Sequence, residues 1–275
     1  MKLYRVFAFS AVCTALSFCT AHAEPITVCT VVADAATGKT LKQEGQCDTR
    51  ATAASTFKIA LSLMGFDSGI LKDAHNPALP FKKHYPAWQP SWKSTTDPTK
   101  WMKDSVVWYS QYLTETLGEE RFAHYVRAFR YGNQDVSGDP GKNNGLSRSW
   151  IGSSLEISPR EQLEFLRKIV GRELPVSAKA YDMTSTITDI GLQPNGWHVY
   201  GKTGAGASKN PDGTKALNKP WAWFVGWATK EGRTVVFARL TKHSTRPSEP
   251  PGPATRKTVL QDLFSKGSDF KGQGF

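Results

Sequence analysis

The spacing of apolar residues changes twice along this chain. Ile26–Asp34 and Leu41–Cys47, joined by Ala36-Thr37-Gly38-Lys39, predict a strand hairpin. Across Ser55–Ile70 the spacing becomes helical: Phe57, Ile59, Ala60, Leu63 and Met64 share a face, and Gly65 or Gly69 can end the helix. Asn76–Lys103 holds five Pro and three Trp and reads as a long loop region. Asp104–Ala128 is helical again, with a break at Gly118. Ser158-Pro159-Arg160-Glu161 is a helix start: Ser158 can cap, Pro159 suits the first helical position, and Glu161 completes a capping box. Leu163, Leu166, Ile169 and Val170 form the stripe that follows.

From Trp197 the spacing changes to that of strands. Trp197–Thr203, Trp221–Thr229 and Thr234–Leu240 are predicted strands, the last two joined by a turn at Glu231-Gly232, and Ala254–Phe264 is a closing helix. The pattern predicts an α/β protein of the α+β type: an antiparallel sheet flanked by helices, with a helical lobe inserted between its first and later strands. The sheet lobe takes about 24–53 and 186–275, the helical lobe about 54–185, all within a single domain of residues 24–275.

Residues 1–23 read as an export signal. Lys2 and Arg5 open it, Val6–Phe18 is its apolar stretch, and Ala21-His22-Ala23 is an A-x-A cleavage site. The competing reading is a helix of the folded domain. Leu16-Ser17-Phe18-Cys19 resembles a lipoprotein signal, but Phe18 stands where a small residue is wanted, so a lipid anchor is not expected. Cleavage would start the chain at Glu24 and place it in the periplasm. Outside the N-terminus no apolar run reaches 18 residues, so no internal membrane span is expected. Nine Trp and fourteen Phe belong to a packed core rather than to a disordered chain. The formal charge is +11; the signal takes two positive charges with it and leaves +9. Basic residues are scattered among acids, so the charge reads as a solvated surface and nucleic acid is not an expected partner. Oligomeric state is open.

Cys13 and Cys19 leave with the signal. Cys29 and Cys47 remain and flank the hairpin, so an exported chain can join them in a disulfide; two unpaired thiols are the alternative. Closing so short a loop contributes roughly 3 kcal/mol in the chain-entropy model. Two cysteines without a Cys/His cluster do not make a zinc site, and His75, His84, His124, His198 and His243 show no metal-ligand spacing.

Two motifs compete for one lysine. Gly196-Trp197-His198-Val199-Tyr200-Gly201-Lys202-Thr203 matches the Walker A pattern in full. A phosphate cradle needs a flexible loop that opens a helix, whereas Trp-His-Val-Tyr forms strand and Gly204-Ala205-Gly206-Ala207 opens no helix. Gly38-Lys39-Thr40 fails as well, because Ala33 stands where the first Gly belongs. The other reading takes Lys202-Thr203-Gly204 as a strand end and pairs it with Ser55-Thr56-Phe57-Lys58, an S-x-x-K. Three residues is about one helical turn, so Lys58 shares a face with Ser55, and its neutral amine can take the hydroxyl proton. Ser268-Asp269-Phe270-Lys271 also matches, but in a polar tail. Taken alone, Ser55 is a helix cap and Lys58 an exposed lysine.

Further residues complete an ordered set: Ser105-Val106-Val107, Tyr131-Gly132-Asn133, Trp150-Ile151, Leu155-Glu156-Ile157-Ser158 and Trp223-Phe224-Val225-Gly226-Trp227. Together with the two lysine motifs, this set resembles the class D serine β-lactamases, the oxacillinase type, from about Thr52 to about Leu263. The class A pattern fits worse, since Ser105-Val106-Val107 replaces its S-D-N. The resemblance implies the penicillin-recognising serine-enzyme fold and a β-lactam substrate, with penicillins and oxacillin-like compounds expected. It makes Ser55 the nucleophile, with the oxyanion held by N–H groups of Ser55 and Ala205. It makes Lys58 a lysine carboxylated by CO2 that serves as general base, with no other cofactor. Phe57, Val107, Trp150 and Ile151 match the apolar pocket around that group, and the Trp150 indole would donate to it. Ser105 would relay a proton to the lactam nitrogen, supported by Lys202. Thr203 and Arg256 would hold the substrate carboxylate, with Arg246 as a competitor for that role. Tyr131-Gly132-Asn133 would shape the wall. The stretch Leu240–Pro253, with four Pro, departs from a short family loop. The same motifs also occur in β-lactam sensors and in transpeptidases that acylate without turnover.

Overall fold

A six-stranded antiparallel sheet carries the fold in the computed structural model, which describes residues 25–209 and 215–268. The predicted export signal and most of the second S-x-x-K lie outside those residues. The chain opens with strands β1 (Ile26–Asp34), β2 (Thr40–Gly45) and the two-residue β3 (Ala51–Thr52). A 3₁₀ turn at Ala54–Phe57 leads into helix α1 (Lys58–Asp67). Helices α2 (Pro98–Asp104), α3 (Val107–Leu117), α4 (Glu119–Ala128) and the short α5 (Gly145–Arg148) follow. Next come β4 (Glu156–Ile157), α6 (Pro159–Val170), α7 (Ala178–Thr188), β5 (Asp189–Leu192), β6 (His198–Lys209), β7 (Lys215–Lys230), β8 (Arg233–Lys242) and α8 (Pro251–Phe264).

The large sheet runs in the order β2-β1-β8-β7-β6-β5, and β3 pairs with β4 apart from it. The hairpin ends of the sequence therefore meet at β1 and β8, with Val31 opposite Ala238 and Val32 opposite Phe237. Side chains of β8 alternate between two cores, as a strand covered on both faces requires. Val235 and Phe237 join Val199, Phe224, Val259 and Phe264 under α8. Val236, Ala238 and Leu240 join the larger core built with α1, α3, α6 and α7. Arg239, 5% exposed, ties β8 to α8 through Asp262 at 2.6 Å and to β1 through Thr30 at 2.8 Å. Cys29 and Cys47 are joined by a disulfide.

Several elements depart from the sequence pattern. The Asn76–Lys103 region is not loop throughout, because α2 begins at Pro98; Asp97 caps it by accepting from Lys100 N at 2.7 Å. Ser105 and Val106 interrupt the helix predicted from Asp104, while the break at Gly118 falls where expected. The capping box at Ser158 and Glu161 is present. Strand β6 does not end at Lys202-Thr203-Gly204 but continues to Lys209, and α8 starts three residues early, at Pro251. Helix α6, within the stretch assigned to the helical lobe, packs on β1, β7 and β8 and so covers the sheet.

Candidate active site

Ser55 lies inside the 3₁₀ turn that joins β3 to α1. It makes no capping bond; the cap position belongs to Ala53. Ala54, immediately before it, has a left-handed backbone with φ +47°. Such a conformation in a residue with a Cβ is costly and persists only where its surroundings fix it. The surroundings are specific. Trp223 Nε1 on β7 donates to Thr52 O at 3.1 Å, and Ala54 N donates to Trp150 O at 2.9 Å. Thr56 Oγ1 donates to Ala53 O at 2.6 Å and accepts from Gln162 Nε2 of α6 at 3.0 Å. Every residue from Ala53 to Lys58 is buried except Ser55, which is half-buried.

Lys58 is fully buried, and its Nζ lies 3.4 Å from Ser55 Oγ. Burial, and then the charge of Lys202, hold the Lys58 amine well below the usual lysine range. Phe57, Val107 and Trp150 are buried, and Ile151 packs against the same core at its edge. The Phe57 ring stacks on Trp150 at 5.6 Å and meets Tyr131 at 5.1 Å and Phe122 at 5.9 Å. The nearby wall is braced by Asn133, which accepts from Glu156 N at 3.0 Å and donates to Ser154 O at 2.8 Å.

Lys202, Thr203 and Ala205 lie on β6. Strand β5 pairs with β6 only as far as Tyr200, so beyond it that edge has no strand partner among the described residues. The Ser55 turn packs against this strand instead. Gly204 permits the approach: a Cβ there would stand 3.1 Å from Thr56 N and 3.2 Å from Ala53 O. Lys202 is 5% exposed and donates to Thr203 O at 3.1 Å. Burial, and then the Arg256 guanidinium, lower its amine to about 7.

Helix α8 approaches the same strand. Gly252 sits against Thr203, where a Cβ would be 3.3 Å from Thr203 Cβ. Arg256 is four residues further on, hence on the same helix face, exposed, and its charge acts on Lys202. Arg246 lines a cleft with His243 and Lys257.

Ser105 ends α2 in a left-handed conformation, φ +61°. Its hydroxyl has no hydrogen-bond partner among the described residues, and no described contact joins it to Ser55 or Lys58. The corner is fixed from the loop before it: Trp92 Nε1 donates to Asp104 O at 2.9 Å, and Trp108 Nε1 donates to Trp92 O at 3.0 Å. Sequence reading missed Trp92, Thr56, Gln162 and Gly252. Only Gln162 carried a signal, as the polar residue beside the buried stripe of α6.

Comparison with known proteins agrees with this geometry. Residues 28–265 match the penicillin binding protein transpeptidase domain family. The chain is 47% identical over 239 residues to Beta-lactamase OXA-9 of Klebsiella pneumoniae, covering 86% of each. It is 41% identical over 215 residues to Beta-lactamase OXA-1 of Escherichia coli, covering 76% of this chain and 74% of the relative. The chain belongs to the class D β-lactamases. The crystal structure of the OXA-427 class D β-lactamase superposes on this class D β-lactamase with a TM-score of 0.80 at 45% identity, covering 86% of this chain and 96% of that one. Among the described residues of this class D β-lactamase, no group of three or more His, Cys, Asp or Glu could hold a metal ion, and no helix is long and apolar enough to cross a membrane.

Proposed function

We propose that this class D β-lactamase hydrolyses the β-lactam ring through an acyl-enzyme on Ser55, after export to the periplasm, and so confers resistance to its substrates. The observation that carries the reading is the buried Lys58 amine, held toward its neutral form 3.4 Å from Ser55 Oγ. A lysine in that state fits carboxylation by CO2, because only a neutral amine attacks CO2 and burial among apolar residues keeps it neutral. A carboxyl group on Lys58 would supply a general base for acylation and again for deacylation.

The Ser55 proton leaves toward the Lys58 side chain as Oγ attacks the lactam carbonyl. N–H groups of Ser55 and Ala205, the latter on the strand lying against the Ser55 turn, receive the oxyanion; one such donor is typically worth about 3 kcal/mol. Ser105 passes a proton to the lactam nitrogen, with Lys202, whose amine titrates near 7, as its support. Thr203 and Arg256, on the strand and the helix that meet at Gly252, hold the substrate carboxylate. Phe57, Val107, Trp150 and Ile151 would line the pocket around the Lys58 carboxyl and disfavour a protonated amine, and the Trp150 indole would donate to the carboxyl. Water then gives a proton to the Lys58 side chain as it attacks the acyl carbonyl; the ester bond to Ser55 Oγ breaks, and Oγ takes that proton back.

Excess penicillin tests the reading. Sustained consumption, with a transient mass increase on the Ser55 peptide, is expected. A stoichiometric adduct without further consumption would instead make the chain a sensor or a transpeptidase.

A further inference from the structure

Phe122 faces two sites. Its buried ring meets Phe57 at 5.9 Å and Trp150 at 6.2 Å, so it belongs to the aromatic cluster that includes Phe57, the residue before Lys58. It also lines a separate cavity of about 370 Å³ between α4, α5 and the segment that joins them. Val136 and Leu146 complete the apolar wall, and Glu119 and Asp135 stand on the rim.

The cavity is preformed. Gly145 lies so close to Val136 that a Cβ would stand 2.0 Å from the Val136 carbonyl oxygen. Ser154 Oγ donates to Asp135 O at 2.9 Å, and Asn144 bonds Asp139 twice, at 2.8 and 3.0 Å. Hydrogen bonds from Ser137, side chain first and backbone next, hold the Asp135 carboxyl below its usual range and therefore ionised at neutral pH. Glu119 forms no ion pair among the described residues. A pocket of this size with an apolar floor and a few polar groups is the usual form of a small-molecule site. Its sign is opposite to that of the chain, whose +11 charge favours anions.

We propose that this cavity binds small organic cations with an apolar body, of the arylammonium or alkylammonium class. The apolar body packs on Phe122, Val136 and Leu146, and the ammonium sits between Glu119 and Asp135. An occupant presses on Phe122 and, through Phe57 and Trp150, alters the surroundings of Lys58. This coupling rests on the role assigned to Lys58; the binding does not.

The test compares benzylamine, benzyl alcohol and benzoate by calorimetric titration of the purified mature enzyme. Benzylamine should bind roughly fivefold more tightly than benzyl alcohol, the scale expected of exposed ion pairs, and benzoate most weakly. The double variant Glu119→Gln, Asp135→Asn should equalise amine and alcohol, and Val136→Trp, which fills the cavity, should abolish binding of both. Benzoate binding as well as benzylamine, or an amine preference that survives the double variant, would overturn the site. Benzylamine should also change the turnover of a chromogenic β-lactam with the same concentration dependence as its binding. Binding with unaltered turnover overturns the coupling. An enzyme without any turnover refutes the assigned activity and leaves the titrations readable.

Discussion

The charge of Lys202 acts directly on Lys58: after burial, it is the cause that keeps the Lys58 amine from protonating. Replacing Lys202 by Met removes that charge while the burial of Lys58 remains. The Lys58 pKa then rises, and less of the amine is neutral at a given pH. The acid limb of the pH profile for acylation should move to higher pH in Lys202→Met. A stopped-flow acylation series across pH checks this, and a limb that stays in place or moves to lower pH contradicts it.

Both amines also link stability to pH. An unfolded lysine titrates near ~10.4, whereas Lys202 in the fold titrates at about 7 and Lys58 lies well below the ordinary value. Between those limits the unfolded chain binds more protons than the folded one, so stability rises with pH. The Tm of the enzyme in CO2-free buffer should increase from pH 7 to pH 9, and less steeply in Lys202→Met. A Tm that falls over this range would refute the burial of neutral amines.

Trp150 contributes both a ring that stacks on Phe57 and an indole N–H. Trp150→Phe keeps an aromatic ring there and removes the donor. The variant should carry less carboxylated Lys58, seen as a weaker carbamate carbon signal after equilibration with ¹³C-labelled bicarbonate. Bicarbonate should raise the activity of decarboxylated wild-type enzyme and raise that of the variant less. Equal carbamate signals would remove Trp150 from this role.

Legibility in the sequence followed the range of the interaction. Ser55 and Lys58 are one turn apart, and Ser158 and Glu161 form a cap within one turn; both relations are local and were readable. Helix α7 was not, because its sequence, AKAYDMTSTIT, carries several β-branched residues and no strong stripe. It is held from outside, by packing on α1, where Ser62 and Thr184 hydrogen-bond at 2.9 Å. The Gln162–Thr56 bond joins residues 106 positions apart, and the contact of Gly252 with Thr203 depends on where α8 lands. The left-handed turn at Ser105 was also hidden, since serine has no preference for positive φ and the corner is fixed by Trp92.

The two arginines can be told apart by kinetics. Arg256 shares a helix face with Gly252 and acts on Lys202, whereas Arg246 lines the cleft beside His243 and Lys257. Arg256→Ala should lower kcat/KM for penicillins by roughly tenfold, the scale of one lost charge-assisted hydrogen bond. Arg246→Ala should leave it unchanged. The reverse pattern would transfer the carboxylate contact to Arg246.

In the proposed mechanism Ser55 is the nucleophile and Lys58 carries its base. Hydrolysis of a chromogenic β-lactam by the purified mature protein, measured beside Ser55→Ala and Lys58→Ala, tests it most directly. Sustained turnover that both substitutions abolish is expected, with no covalent adduct on Ser55→Ala. Turnover that survives either substitution would contradict it.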